Sequence, residues 1–176
     1  EAYDPQLGAW ALVASMGAKR KYNASVVLDG KIYVMGGAGN NMVSLDTVEV
    51  YDPQTNSWQQ VASMPQGRYG HAAAAMGGKI YVTGGVNSQA TVNSVCVYDP
   101  QADAWTQLAS MDIARRSHAS AAVGGKLYVL GGCSAEDDED DEEHLNTAEV
   151  YDPASDSWAQ GLSLTCPRDS LVAVAC

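Results

Sequence analysis

Residues Leu45 to Gly85 read LDTVEVYDPQTNSWQQVASMPQGRYGHAAAAMGGKIYVTGG. Short runs rich in Val, Tyr, Thr and Ala alternate here with an Asp-Pro turn and paired glycines, which is how hairpin-connected strands look. No helical period competes with them. The pattern then recurs along the chain. Tryptophans fall at Trp10, Trp58, Trp105 and Trp158, spaced 48, 47 and 53 residues apart. Tyr3, Tyr51, Tyr98 and Tyr151 repeat those intervals, and each opens a Tyr-Asp-Pro triplet. The doublets Gly36-Gly37, Gly84-Gly85 and Gly131-Gly132 recur in step. Such self-similarity marks tandem units. A four-stranded antiparallel unit of this length, with one Tyr and one Trp at fixed places, buries its rings only against the next unit. Radial stacking satisfies that need and predicts an all-β β-propeller.

A Gly-Gly doublet, a downstream Tyr-Asp-Pro and a Trp seven residues later resemble the kelch repeat, and the likeness runs over essentially the whole chain. The rival WD40 repeat would place Trp-Asp dipeptides at unit ends, and none occurs. With strands named a to d from the Gly-flanked hairpin onward, residues 1–16 supply c and d of a partial blade. Full blades follow at 17–64, 65–111 and 112–164, the last carrying an acidic loop at 134–144. Residues 165–176 supply strand a of another partial blade. The reading is therefore three full blades, partial blades at both ends and 15 strands in all. The resemblance implies rings of about six blades, so this chain is similar to half of one. Exposed blade faces would then drive self-association, as a homodimer if the chain is complete.

Composition bounds the function. The 176 residues carry 10 Lys and Arg against 21 Asp and Glu, a formal charge of −11. Eight of those acids form one run at 136–143, EDDEDDEE, and without them the charge is −3. An acidic chain does not bind nucleic acid through bulk charge. Apolar runs such as Ala72 to Met76 are too short for a helical membrane span. The first residues lack the basic-then-apolar order of a secretory signal, so a cytoplasmic location with free thiols is expected. Cys96, Cys133, Cys166 and Cys176 show neither Cys-x-x-Cys nor zinc spacing, although a bridge between the last two stays open. No metal and no cofactor are expected.

In an up-and-down sheet the a-b and c-d turns lie at one end and the b-c and d-a connections at the other. The longer connections share the second face, where binding residues concentrate. There the d-a connection delivers Arg20, Arg68, Arg115 and Arg168 at one repeat position, with Lys21 and Arg116 beside two of them. Two readings compete. One is a basic ring at the channel mouth that recognises a carboxylate or phosphate. The other is stems packed between blades, with guanidiniums satisfying loop carbonyls. The resemblance favours acidic peptide ligands, with Tyr22, Tyr69, Ser117 and Ser170 as neighbouring contacts. The acidic run reads as a solvated loop, or as an internal mimic of such a ligand.

Units like these look most like the kelch domains of kelch-like adaptors, which capture substrates for Cullin-3 ubiquitin ligases. The BTB and BACK domains of those adaptors do not occur in these residues. The expectation is a non-catalytic protein or peptide binding module, with a sugar-processing kelch enzyme of mutarotase or oxidase type, or an actin-binding protein, as alternatives. For the enzyme, an Arg with His71 or His118 is the candidate pair. Both histidines also read as packed side chains.

Overall fold

The computed structural model describes residues 1–134 and 143–174. Of the acidic run only Glu143 is among them, so both readings of that loop lie outside the described residues, as does Cys176. The first sheet pairs β1 (Ala2–Asp4) with β2 (Ala9–Ala11). Three antiparallel sheets of four strands follow, each in sequence order. They are β3 (Ala24–Leu28), β4 (Lys31–Met35), β5 (Val48–Asp52) and β6 (Ser57–Val61), then β7 (Ala72–Met76), β8 (Lys79–Thr83), β9 (Val95–Asp99) and β10 (Ala104–Leu108). The last holds β11 (Ala119–Val123), β12 (Lys126–Leu130), β13 (Ala148–Asp152) and β14 (Ser157–Gln160). This is an all-β partial propeller with three complete blades. The described residues hold 14 strands rather than 15. Residues 171–174, expected as a further strand a, are irregular, and no strand among the described residues pairs with them.

The innermost strands β3, β7 and β11 lie side by side, β7 between the other two. Their alanines Ala72, Ala74, Ala119 and Ala121 are buried, since strands converging on an axis leave room only for small side chains. Farther out, neighbouring blades meet through aromatic rings. Tyr33 lies against Tyr98, and Tyr81 against Tyr151, with centroids 6.1 and 6.2 Å apart. Such tilted pairs suit the ring quadrupoles.

The repeated Tyr and Trp are cross-strand partners in the outer hairpin, Tyr51 with Trp58, Tyr98 with Trp105 and Tyr151 with Trp158. Their ring centroids are 5.1 to 5.2 Å apart. Each indole Nε1 donates at 2.8 Å to a carbonyl of the preceding blade, that of Ala14, Ala62 or Ala109. The amides of the same three residues donate to Asn56, Asp103 and Asp156 of the following blade, at 2.8, 2.8 and 3.0 Å. Those Asx oxygens also accept the hydroxyls of Tyr51, Tyr98 and Tyr151. One residue per blade thus has both its backbone donor and its backbone acceptor held by the next blade.

The doublets have a steric cause. Gly36 and Gly84 sit at φ +58° and +57°, and a Cβ on either would lie 2.6 and 2.4 Å from the carbonyl oxygens of Arg68 and Arg115. Their partners Gly37 and Gly85 donate amide hydrogen bonds to those same carbonyls, at 2.9 and 2.8 Å. A side chain would force the blades apart. The d-a and b-c connections therefore meet at one end of the sheets, as the up-and-down order requires.

Candidate partner-binding face

The repeated arginines project from the d-a connections, and the structure turns three of them inward. The Arg20 side chain is fully buried, and Arg68 and Arg115 are 2% and 0% exposed. Arg115 Nη1 donates to Gly131 O and Thr147 O at 2.7 and 3.3 Å, and its Nη2 to Thr147 Oγ1 and Glu149 Oε1 at 3.1 and 2.7 Å. Arg20 repeats this with Gly36 O, Thr47 O, Thr47 Oγ1 and Glu49 Oε1. The fork ties the exit of strand b to the entry of strand c, giving the carbonyls of Gly36 and Gly131 a donor and those of Thr47 and Thr147 a second one beside the amides of Gly36 and Gly131. The expectation that Arg20, Arg68 and Arg115 anchor a partner is thereby corrected. They are internal staples, because the Nη groups of each buried guanidinium are taken up by acceptors of the fold itself.

Arg68 departs from its siblings. It donates to Gly84 O, Ser94 O and Ser94 Oγ at 2.9, 3.1 and 3.0 Å, but Cys96 stands where Glu49 and Glu149 stand in the flanking blades. Burial lowers the Arg68 pKa and pushes the Cys96 thiol up to about 11. The reason lies three residues before the arginine. Gly17 N and Asp112 N each donate to the glutamate, at 2.6 and 2.7 Å, whereas the equivalent residue in the middle blade is Pro65, which has no N–H. Burial alone would raise the Glu49 pKa, but the Gly17 amide and Arg20 hold it below the ordinary value. A glutamate at 96 would lack that amide.

His71 and His118 lie on the axial side of this face, both buried. Burial, reinforced by Arg68 and Arg115 respectively, pushes their pKa values down to about 3, so both are neutral at pH 7. His118 Nε2 lies 2.8 Å from Thr83 Oγ1, which is 2.9 Å from Ser120 Oγ. Around the channel mouth runs a belt of backbone bonds. Gly70 N donates to Tyr22 O, Ser117 N to Gly70 O and Ser170 N to Ser117 O, each at 2.8 Å. All four residues adopt positive φ, between 50° and 62°. They rim a hollow of about 240 Å³ whose floor includes His71 and His118.

What remains available on the face is narrower than a ring of arginines. Lys21 is exposed, with its Nζ 5.4 Å from the Tyr22 ring centroid. Tyr22 is 59% exposed and lies 6.3 Å from the half-buried Tyr69. Tyr69 in turn lines a groove of about 410 Å³ between the first two full blades, together with Met42, Val43 and Ser44. Arg116 and Ser117 are half-buried. Arg168 is exposed and donates from Nη2 to Cys166 Sγ at 2.8 Å, so unlike its three counterparts it is not turned inward.

Residues 2–173 match the family model of the KLHDC2/KLHL20/DRC7 Kelch-repeats domain. The chain belongs to this kelch-repeat family. No curated protein matches it in a sequence search. Among solved structures, the protein described as "Structure of YjhT" superposes with a TM-score of 0.76 at 21% identity. That alignment covers 92% of this chain and 57% of YjhT, so the chain spans a little over half of that protein. The likeness is one of fold. Kelch domains generally bind proteins, and no helix among the described residues is long and apolar enough to cross a membrane.

The account of the middle blade is open to a double-mutant cycle. Cys96→Glu alone should leave stability unchanged or lower. With Pro65→Asp, the residue pair of the third blade, it should gain, with a coupling of about 1–2 kcal/mol in urea unfolding. Strictly additive effects would show that the missing amide is not what excludes the glutamate.

Proposed function

We propose that this kelch domain is a non-catalytic module that captures a partner protein through an acidic segment laid across the d-a and b-c loop face. The observation that carries the reading is the Lys21, Tyr22 and Tyr69 cluster. It places a cation and two rings at the channel mouth, beside the groove lined by Met42 and Val43. Tyrosines are among the residues that dominate binding energy where a groove lets them desolvate, and a lysine at the rim steers an acidic partner. The other anchors are Arg116, Ser117 and Arg168, with Arg20, Arg68 and Arg115 supporting the loops from beneath. In an adaptor for a ubiquitin ligase in the cytoplasm, this face would hold the substrate and other segments would recruit the ligase. The sugar-processing alternative has less support, because His71 and His118 are buried and neutral and serve poorly as a general acid.

If the chain is complete, the blade faces at its two ends support self-association as a homodimer. Trp10 is 68% exposed and Leu162 is 94% exposed, although their equivalents between blades are the indole and the carbonyl-bearing residue of the clip. A second copy could bring one against the other.

Tyr22→Gly tests the site with little risk to the fold, since Gly70 holds the same place in the next blade. Fluorescence anisotropy with a labelled Glu- and Asp-rich peptide should show binding weakened about tenfold or more, with the melting temperature kept or raised. Equal affinity would remove the cluster from the site. For the association, light scattering should give twice the chain mass, reverting to one in Trp10→Ala. A monomer at every concentration would exclude closure by a second copy.

A further inference from the structure

In every full blade the same two positions meet on the loop face. Ala38 bridges Ser44, Val86 bridges Thr91 and Cys133 bridges His144 in short antiparallel contacts. At the third blade the chain segment that follows adds Asp169, which holds the repeat position of Tyr69 and Arg116. Only the third junction unites three residues whose atoms bind metals. Cys133 Sγ lies 3.5 Å from His144 Nδ1, and His144 Nδ1 lies 3.4 Å from Asp169 Oδ1. All three donor atoms fall within 4.8 Å of one another.

The backbone holds these residues in place. Cys133 exchanges both its amide and its carbonyl bonds with Arg116, at 2.9 and 3.0 Å. Asp169 is flanked by bonds from Arg168 N to Leu145 O, from Gly132 N to Arg168 O and from Ser170 N to Ser117 O, so its position is fixed without a strand. Cys133 is buried, Asp169 half-buried and His144 exposed, which leaves one side of the cluster open to solvent.

The geometry distinguishes two chemistries that such residues serve. In a nucleophilic relay the imidazole bridges its partners through opposite nitrogens, one toward the thiol and one toward the carboxylate. Here thiol and carboxylate approach the same nitrogen, Nδ1. One ring nitrogen cannot relay a proton between two groups on its own side, whereas convergence on a common point is what ligands of one ion do. We propose that Cys133, His144 and Asp169 form a binding site for a zinc-class divalent cation. Bonds of about 2.3 Å to sulfur and 2.0 Å to nitrogen or oxygen around a tetrahedral ion place S and N about 3.5 Å apart and N and O about 3.3 Å apart. The two shorter separations already match, and closing the site needs the Asp169 carboxylate to swing toward the sulfur. Mixed thiolate, imidazole and carboxylate donors suit zinc over calcium or magnesium, which take oxygen donors. Three protein ligands leave a fourth position on the open side for water or a partner's side chain. The ion would tie the third blade to the chain segment that follows it. The proposal is independent of the peptide-binding reading.

Cobalt(II) titration of the reduced protein tests it, because a cobalt–thiolate bond gives a near-ultraviolet charge-transfer band. One equivalent of Co²⁺ should develop the band, and one equivalent of Zn²⁺ should abolish it. Cys133→Ser should remove the band. His144→Ala and Asp169→Asn should each weaken binding about tenfold or more, as even outer-shell losses do. His144 is exposed, so its variant should keep the far-ultraviolet circular dichroism of the parent. Binding should persist in Cys166→Ser and in a protein whose acids at 136–142 are replaced by Ser and Asn. Three results would overturn the site: no thiolate band, a band that survives His144→Ala unchanged, or uptake that follows the acidic run and ignores Cys133→Ser.

Discussion

Each blade is fastened to the one before it by a clip on the backbone of a single residue. The Trp indole takes the carbonyl and an Asx side chain takes the amide of Ala14, Ala62 or Ala109. Because that Asx oxygen also accepts the Tyr hydroxyl, and Tyr and Trp are cross-strand neighbours, the clip fixes the outer hairpin and its angle to the previous blade together. The rest follows from the spacing this imposes. Inner strands come close enough to need alanine, strand b leaves the sheet beneath the next d-a connection and must carry glycine, and the carbonyls trapped there need a buried arginine. In a stacked array, stability is set by such nearest-neighbour contacts.

The same constraint explains what could be read in advance. The Tyr-Asp-Pro, Trp and Gly-Gly elements recur because every junction makes the same demand, so blade architecture and strand order were legible in the repeat itself. The arginines recur for that reason too, and their regularity was open to misreading. A fork of donors repeated at a loop looks like an anion site until the carbonyls of Gly84 and Gly131 and the hydroxyls of Ser94 and Thr147 are seen to occupy it. Recurrence in a repeat protein reports what every unit needs. Distinctive chemistry sits where units differ.

Those differences are single substitutions at equivalent places. Tyr22 stands where the next blade has Gly70, Cys96 where its neighbours have glutamate, and Cys133, His144 and Asp169 where other junctions have Ala38, Ser44 and Tyr69. The loss of a counter-ion for Arg68 was not visible without knowing that residue 65 must donate its amide. Cys133, His144 and Asp169 follow no metal-ligand spacing, because they meet through bridges and across blades rather than along one segment. The missing strand after Arg168 likewise reflects pairing, since Leu171 to Val174 has the composition of a strand but no ladder partner among the described residues.

On the proposed reading the repeat arginines hold the loop face together from within, and a partner meets the groups above them. Thermal unfolding of Arg115→Met, with peptide affinity measured on the same sample below its transition, tests this most directly. Removing the guanidinium leaves Glu149 without its buried ion-pair partner and Gly131 O without its donor, while Thr147 O keeps the Gly131 amide, a loss of about 3–5 kcal/mol for a broken buried pair. The account predicts a markedly lower melting temperature with unchanged affinity in the molecules that remain folded. An undisturbed melting temperature with lost peptide binding would contradict it.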